Sequence, residues 1–67
     1  MINVTVNGKT RQLIDNTTVE QLLLELELTE ERIAVECNRN ILDPGEFSTV
    51  TLNDRDELEI VRFVGGG

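Results

Sequence analysis

Ile2-Asn3-Val4-Thr5-Val6-Asn7-Gly8-Lys9-Thr10-Arg11-Gln12-Leu13-Ile14 opens the chain and decides how the rest is read. Ile2, Val4 and Val6 alternate with Asn3 and Thr5, so residues 1–6 predict a strand with one buried face. Asn7-Gly8 is the strongest short hairpin signal, because both residue types accept the positive φ of a tight turn. Residues 9–14 then return as a second strand. A two-residue turn sets Arg11 opposite Val4 on the inner face, and a glycine bulge shifts that pairing by one; the sequence leaves both registers open.

Working outward, Asp15-Asn16-Thr17 is a turn cluster. Thr17-x-x-Glu20 and Thr18-x-x-Gln21 both fit a capping box. Val19, Leu22, Leu23 and Leu26 follow at i, i+3, i+4 and i+7, one apolar stripe on a helix over residues 18 to about 27, with Leu24 off the stripe. Ile33, Val35 and Cys37 alternate with Ala34 and Glu36, a third strand. Ile41-Leu42 reads as a short edge strand ended by Asp43-Pro44-Gly45. Phe47, Val50 and Leu52 sit in an irregular segment over one end of the core, and Asn53-Asp54-Arg55-Asp56 is a polar turn. Residues 57–63 form the last strand, with Leu58 and Ile60 on one face and Glu57, Glu59, Val61 and Phe63 on the other.

The order β-β-α-β-(β)-β predicts an α+β fold: a mixed sheet of four to five strands with one main helix across one face. The first strand then lies parallel to the last, and the last is central. This is the ubiquitin-like β-grasp arrangement. It divides the chain into a domain at 1–63 and a tail at 64–67. Val64-Gly65-Gly66-Gly67 is a thin thread, since glycine has no Cβ. Extended, four residues span at most roughly 13 Å, enough to carry a carboxylate into a narrow channel of another protein. The plain alternative is a frayed end or a tag remnant, although tags bring polar residues absent here.

Composition narrows the chemistry. Sixty-seven residues make one small domain, with no His, Trp or Tyr and a single cysteine, Cys37. No internal disulfide and no Cys/His metal cluster can form, which fits a reducing cytoplasmic setting. Without histidine to act as base, Cys37 reads as a small buried strand residue rather than a nucleophile. Asp54-x-Asp56 lacks the rest of a calcium loop. The net charge of −7 repels phosphate backbones and argues against nucleic acid. Met1-Ile2-Asn3 does not begin a signal peptide, and no run approaches a membrane span.

Three stretches carry a family resemblance. They are Thr18–Leu23 (TVEQLL), Ile33–Asn38 (IAVECN) and Asp54–Gly67 (DRDELEIVRFVGGG). Together they make the chain similar to the ThiS family, the sulfur carriers of thiazole synthesis in thiamin biosynthesis. The resemblance implies a carrier rather than an enzyme. Gly67 would be the acyl-adenylate and thiocarboxylate site, with Gly65 and Gly66 its approach. The expected partners are an adenylating, E1-like enzyme that brings ATP and magnesium, a sulfur-transfer protein and thiazole synthase. No cofactor is expected on the carrier itself, which would be a monomer when free. Val61, Phe63 and Val64 are the expected docking residues, an apolar anchor rimmed by Glu57 and Glu59; the alternative buries Phe63 in its own domain. Family members commonly carry glycine where this chain has Glu27, Arg39 and Arg55, which leaves those turn types open. Three other functions fit a diglycine tail: a small subunit supplying sulfur to molybdopterin, a ubiquitin-like modifier, and an inert binding module.

Overall fold

The computed structural model describes residues 1–28 and 32–63. The strands are β1 (Ile2–Val6), β2 (Lys9–Leu13), β3 (Ile33–Cys37), β4 (Asn40–Leu42) and β5 (Glu57–Arg62). One helix, α1 (Val19–Glu25), and a short 3-10 turn at Pro44–Glu46 complete the described elements. The sheet order is β2-β1-β5-β3-β4. β1 and β5 run parallel, and the other neighbours are antiparallel. The expected β-grasp is therefore present with all five strands, and β5 is central.

The first hairpin resolves its register in favour of the two-residue turn. Val6 pairs Lys9 and Val4 pairs Arg11. Asn7 and Gly8 have φ of 49° and 83°, the left-handed pair that a type I′ turn requires. No bulge intervenes, so Lys9 and Arg11 share the inner face with Val4, Val6 and Leu13.

Of the two possible capping boxes, Thr18 and Gln21 form the real one. The Gln21 N–H donates to Thr18 Oγ1 at 3.2 Å, and the Thr18 N–H donates to Gln21 Oε1 at 2.9 Å. Thr17 is instead buried, its hydroxyl donating to the Ile14 carbonyl at 2.7 Å. The helix is shorter than its apolar stripe predicts: it ends at Glu25 with Leu26 as its C-cap, and Glu27 turns left-handed at φ 60°. Val19, Leu22 and Leu23 are buried against Val4, Leu13, Val35, Leu58 and Ile60, while Leu24 is exposed. Phe47 and Leu52 close the core from the segment between β4 and β5. Burying side chains of this size stabilises by roughly 1.5–3 kcal/mol each, and this term outweighs any single polar contact.

Arg39 and Arg55 are also left-handed, at φ 71° and 74°. Asn38-Arg39 joins Cys37 to Asn40 as a second two-residue hairpin turn. The three family glycine positions therefore keep glycine-like geometry without glycine.

Candidate functional site: the mount of the glycine tail

The functional expectation concerns how β5 delivers the chain to residue 64. Two neighbours grip it along its length. On one side β3 pairs residue by residue, from Cys37 opposite Leu58 to Ile33 opposite Arg62. On the other, β1 contributes only Thr5 opposite Glu57 and Val6 opposite Leu58. The side chain of Asn7 then continues the ladder. Its Nδ2 donates to the Ile60 carbonyl at 3.1 Å, and its Oδ1 accepts from the Ile60 N–H at 2.7 Å. The amide thus acts as a substitute peptide where β1 has already turned away.

The start of β5 is fastened by Asp56, which is buried. Its Oδ2 accepts from the Asn53 N–H at 2.7 Å and its Oδ1 from Asn38 Nδ2 at 2.9 Å. Asn38 Oδ1 in turn accepts from the Glu57 N–H at 3.0 Å. These bonds tie the turn before β5 to the β3–β4 turn, and carboxylate acceptors make stronger bonds than neutral ones. At the far end the Phe63 N–H donates to the Arg32 carbonyl at 2.9 Å.

Two surfaces flank this mount, and they separate the residues expected to dock together. Val61 is half-exposed on the outer face of the sheet, beside Ala34, Ile41, Glu36 and Glu59. Glu36 lies directly opposite Glu59, a like-charge pair that destabilises a sheet unless something cationic comes between. Phe63 is also half-exposed, but it lines a groove with Leu23, Leu28, Arg32, Ile33 and Phe47 on the helix side. Strand pairing stops at Arg62, so period-two alternation no longer governs Phe63. Neither expectation for Phe63 holds as stated: it does not join Val61, and it is not buried. Val64, Gly65, Gly66 and Gly67 lie outside the described residues. Ile41, the most exposed large apolar side chain of this outer face, escaped sequence reasoning because an isolated apolar residue on a short edge strand gives no pattern.

Cys37 is half-buried beside the core. Burial pushes its thiol up from the ordinary range, and the Asp56 carboxylate adds to the effect. That environment suits an inert structural cysteine, not a nucleophile. Among the described residues no group of metal-ligating side chains is gathered, and no helix is long and apolar enough to cross a membrane.

The ThiS family profile matches residues 4–67. The chain belongs to the ThiS family. A sulfur carrier protein ThiS of Bacillus subtilis is 40% identical over 63 residues, covering 92% of this chain and 96% of that protein. The crystal structure of a thiamine biosynthesis protein, ThiS, from Geobacter metallireducens superposes with a TM-score of 0.82 at 34% identity, covering 98% and 100% of the two chains. A thiazole synthase of Paramagnetospirillum magneticum is 41% identical over 66 residues. That match takes in 98% of this ThiS-family chain but only 20% of the synthase. The chain spans about a fifth of the length of that synthase and of a second from Magnetococcus marinus.

Proposed function

We propose that this chain carries sulfur on Gly67 for the thiazole of thiamin. The Gly67 carboxylate attacks the α-phosphorus of ATP at a separate adenylating enzyme, which holds the magnesium and releases pyrophosphate. A persulfide on the sulfur-transfer protein then adds to the acyl carbon and expels AMP, giving an acyl disulfide, and a thiol reductant cleaves its S–S bond to leave the thiocarboxylate for thiazole synthase. A free carboxylate is a poor acyl donor, and the adenylate supplies the leaving group it lacks. The carrier contributes an unhindered end on a rigid mount, so its own share of the catalysis is positioning.

The observation that carries this reading is the family match running through residue 67, so that it includes the glycines beyond β5. The fixed course of β5 supports it, as do the two thiazole synthases of which about a fifth matches nearly all of this chain. The outer face, with Ile41 and Val61 set around Glu36 and Glu59, offers the adenylating enzyme an apolar and acidic footing.

Intact mass spectrometry tests the reading. The chain is incubated with the adenylating enzyme, magnesium–ATP and a sulfur donor. The expected product is heavier by the exchange of one oxygen for sulfur, localised to Gly67 by fragmentation. An unchanged mass, or a ladder of larger conjugates, overturns it.

A further inference from the structure

The sheet's inner face has an end that α1 does not cover. Leu13 of β2 is buried under the helix, but Lys9 and Arg11 share its face beyond the end of α1 at Glu25, Lys9 exposed and Arg11 half-buried. They line a groove with Val6, Leu26, Ile60 and Arg62. Three of the chain's six basic residues thus gather in one place, in a protein that carries 13 acidic ones. No acidic side chain is among the described residues that line it. Lys9 and Arg11 make no ion pair with any described residue. Arg11 goes further: its Nε is buried and finds no acceptor among the described residues. A buried donor left unpaired is costly and calls for an explanation. The described residues supply no acceptor for it.

We propose that this groove is a docking site for an acidic, aliphatic-flanked segment of the protein that receives the charged tail. Lys9 and Arg11 pair the carboxylate of that segment, and Val6, Leu26 and Ile60 take its aliphatic neighbour. A small free anion would use the cations and leave the apolar floor idle. Nucleic acid is opposed by the chain's net charge of −7. Location supports a tail-receiving partner: Arg62 is both the end of β5 and a wall of the groove. The tail spans at most roughly 13 Å, so whatever takes Gly67 must lie against the surfaces around this strand end. The outer face is acidic and the groove is basic, on opposite sides of one sheet. Assigning the groove to one enzyme and the outer face to the other would give each a surface of opposite charge, which favours right pairings and repels wrong ones. The identity of the partner, thiazole synthase, rests on the function proposed above.

The test is a titration of the 15N-labelled chain, separately with thiazole synthase and with the adenylating enzyme of the same organism. Shifts at Lys9, Arg11 and Leu26 are expected with the synthase and not with the adenylating enzyme. The Lys9→Glu/Arg11→Glu variant should bind the synthase at least about tenfold more weakly, the usual scale for reversed interfacial charges. The Lys9→Gln/Arg11→Gln variant keeps polar side chains without their charges, guards against misfolding, and should show a smaller loss in the same direction. Unperturbed groove residues, or unaltered affinity in both folded variants, overturn the proposal. So do the same shifts produced by inorganic phosphate alone, or by raising the concentration of the chain alone. Thiocarboxylate formation at Gly67 reads the carrier chemistry separately, so either idea can fail without the other.

Discussion

Replacing Asn7 by glycine isolates the clamp on β5 from the turn that bears it. Asn7 sits at φ 49°, which glycine adopts without strain, so the turn geometry is kept and the conformational cost is confined to the extra freedom glycine gives the unfolded chain. What goes is the pair of side-chain bonds to the Ile60 backbone, at 3.1 and 2.7 Å. Each is worth about 0.5–1.5 kcal/mol net, and Asn7 lies at the surface where water can partly replace it, so the expected loss is about 1–2 kcal/mol. For a domain of this length each kcal/mol moves the melting temperature by about 4–8 °C. Far-UV circular dichroism should therefore place Asn7→Gly about 4–16 °C below the parent, with faster hydrogen exchange at the Ile60 amide. Asn7→Asp adds a signature. Its carboxylate still accepts from the Ile60 N–H but cannot donate to the Ile60 carbonyl, and it faces that oxygen with negative charge. Protonation restores a donor, which raises the carboxyl's folded pKa above its unfolded value of about 3.9. The recovered stability is thus fully present below that value and lost as pH rises through the folded pKa. Asn7→Gly lacks this component and serves as the baseline. A melting point within about 2 °C of the parent, together with unchanged Ile60 protection, would refute the clamp.

Arg39→Gly should stabilise. Arg39 is exposed at φ 71°, and its side chain makes no ion pair with any described residue. Removing a left-handed penalty of about 1–2 kcal/mol, less the extra freedom glycine adds to the unfolded chain, leaves a gain of about 0.5–1 kcal/mol by thermal melting. A lowered melting point would contradict the strain. The Cys37 thiol should react with iodoacetamide along a pH profile centred above 9.0 in the folded chain, falling back toward the ordinary value in urea. Because the folded pKa is raised, its contribution to stability is complete below the unfolded pKa and disappears as pH climbs through the folded one. A midpoint at or below the denatured value would be the contrary result. Gly66→Ala and Gly67→Ala should each slow adenylation in the reconstituted assay, since a Cβ meets the walls of the partner's channel; parental rates for both would argue against a tight passage.

Much of the architecture was legible because it rests on periodicity. Ile2, Val4 and Val6 declared a strand, Asn7-Gly8 a hairpin, and Val19 to Leu26 a helix, and each pattern reflects burial of one face. The family resemblance to ThiS was legible from the helix start, the third strand and the last strand with its glycines. Register was not, because Arg11 opposite Val4 places a charge on an inner face. Hydrophobic patterning counts that as an error, and only the geometry of the turn decides it. The end of α1 was overestimated because Leu26 continues the stripe, whereas Glu27 leaves the helix through a left-handed turn that its residue type does not advertise. Asp56 and Asn38 were invisible as partners for a related reason. Hydrogen bonds between two turns depend on where the turns meet in space, and neither residue belongs to a periodic pattern. Phe63 was misplaced because alternation was extended one residue past the last paired position.

That last error points to how the mount works. The apolar core ends with Ile60, and Val61, Arg62 and Phe63 are all exposed. Hydrophobic burial therefore cannot hold the final three described residues in line. Their course depends on directional polar bonds: the ladder to β3, the Asn7 amide at Ile60, and the Phe63 N–H to Arg32. Such bonds fix a direction without covering a surface, so both flanks of the strand end stay open to partners. A core residue used as the anchor would have secured the strand and buried one of those flanks. Stability of the core and alignment of the end of β5 are thus partly separable properties. Asn7→Gly should loosen the strand end in exchange experiments well before the core unfolds, whereas Leu22→Ala, at about 2–5 kcal/mol, should lower the whole domain together.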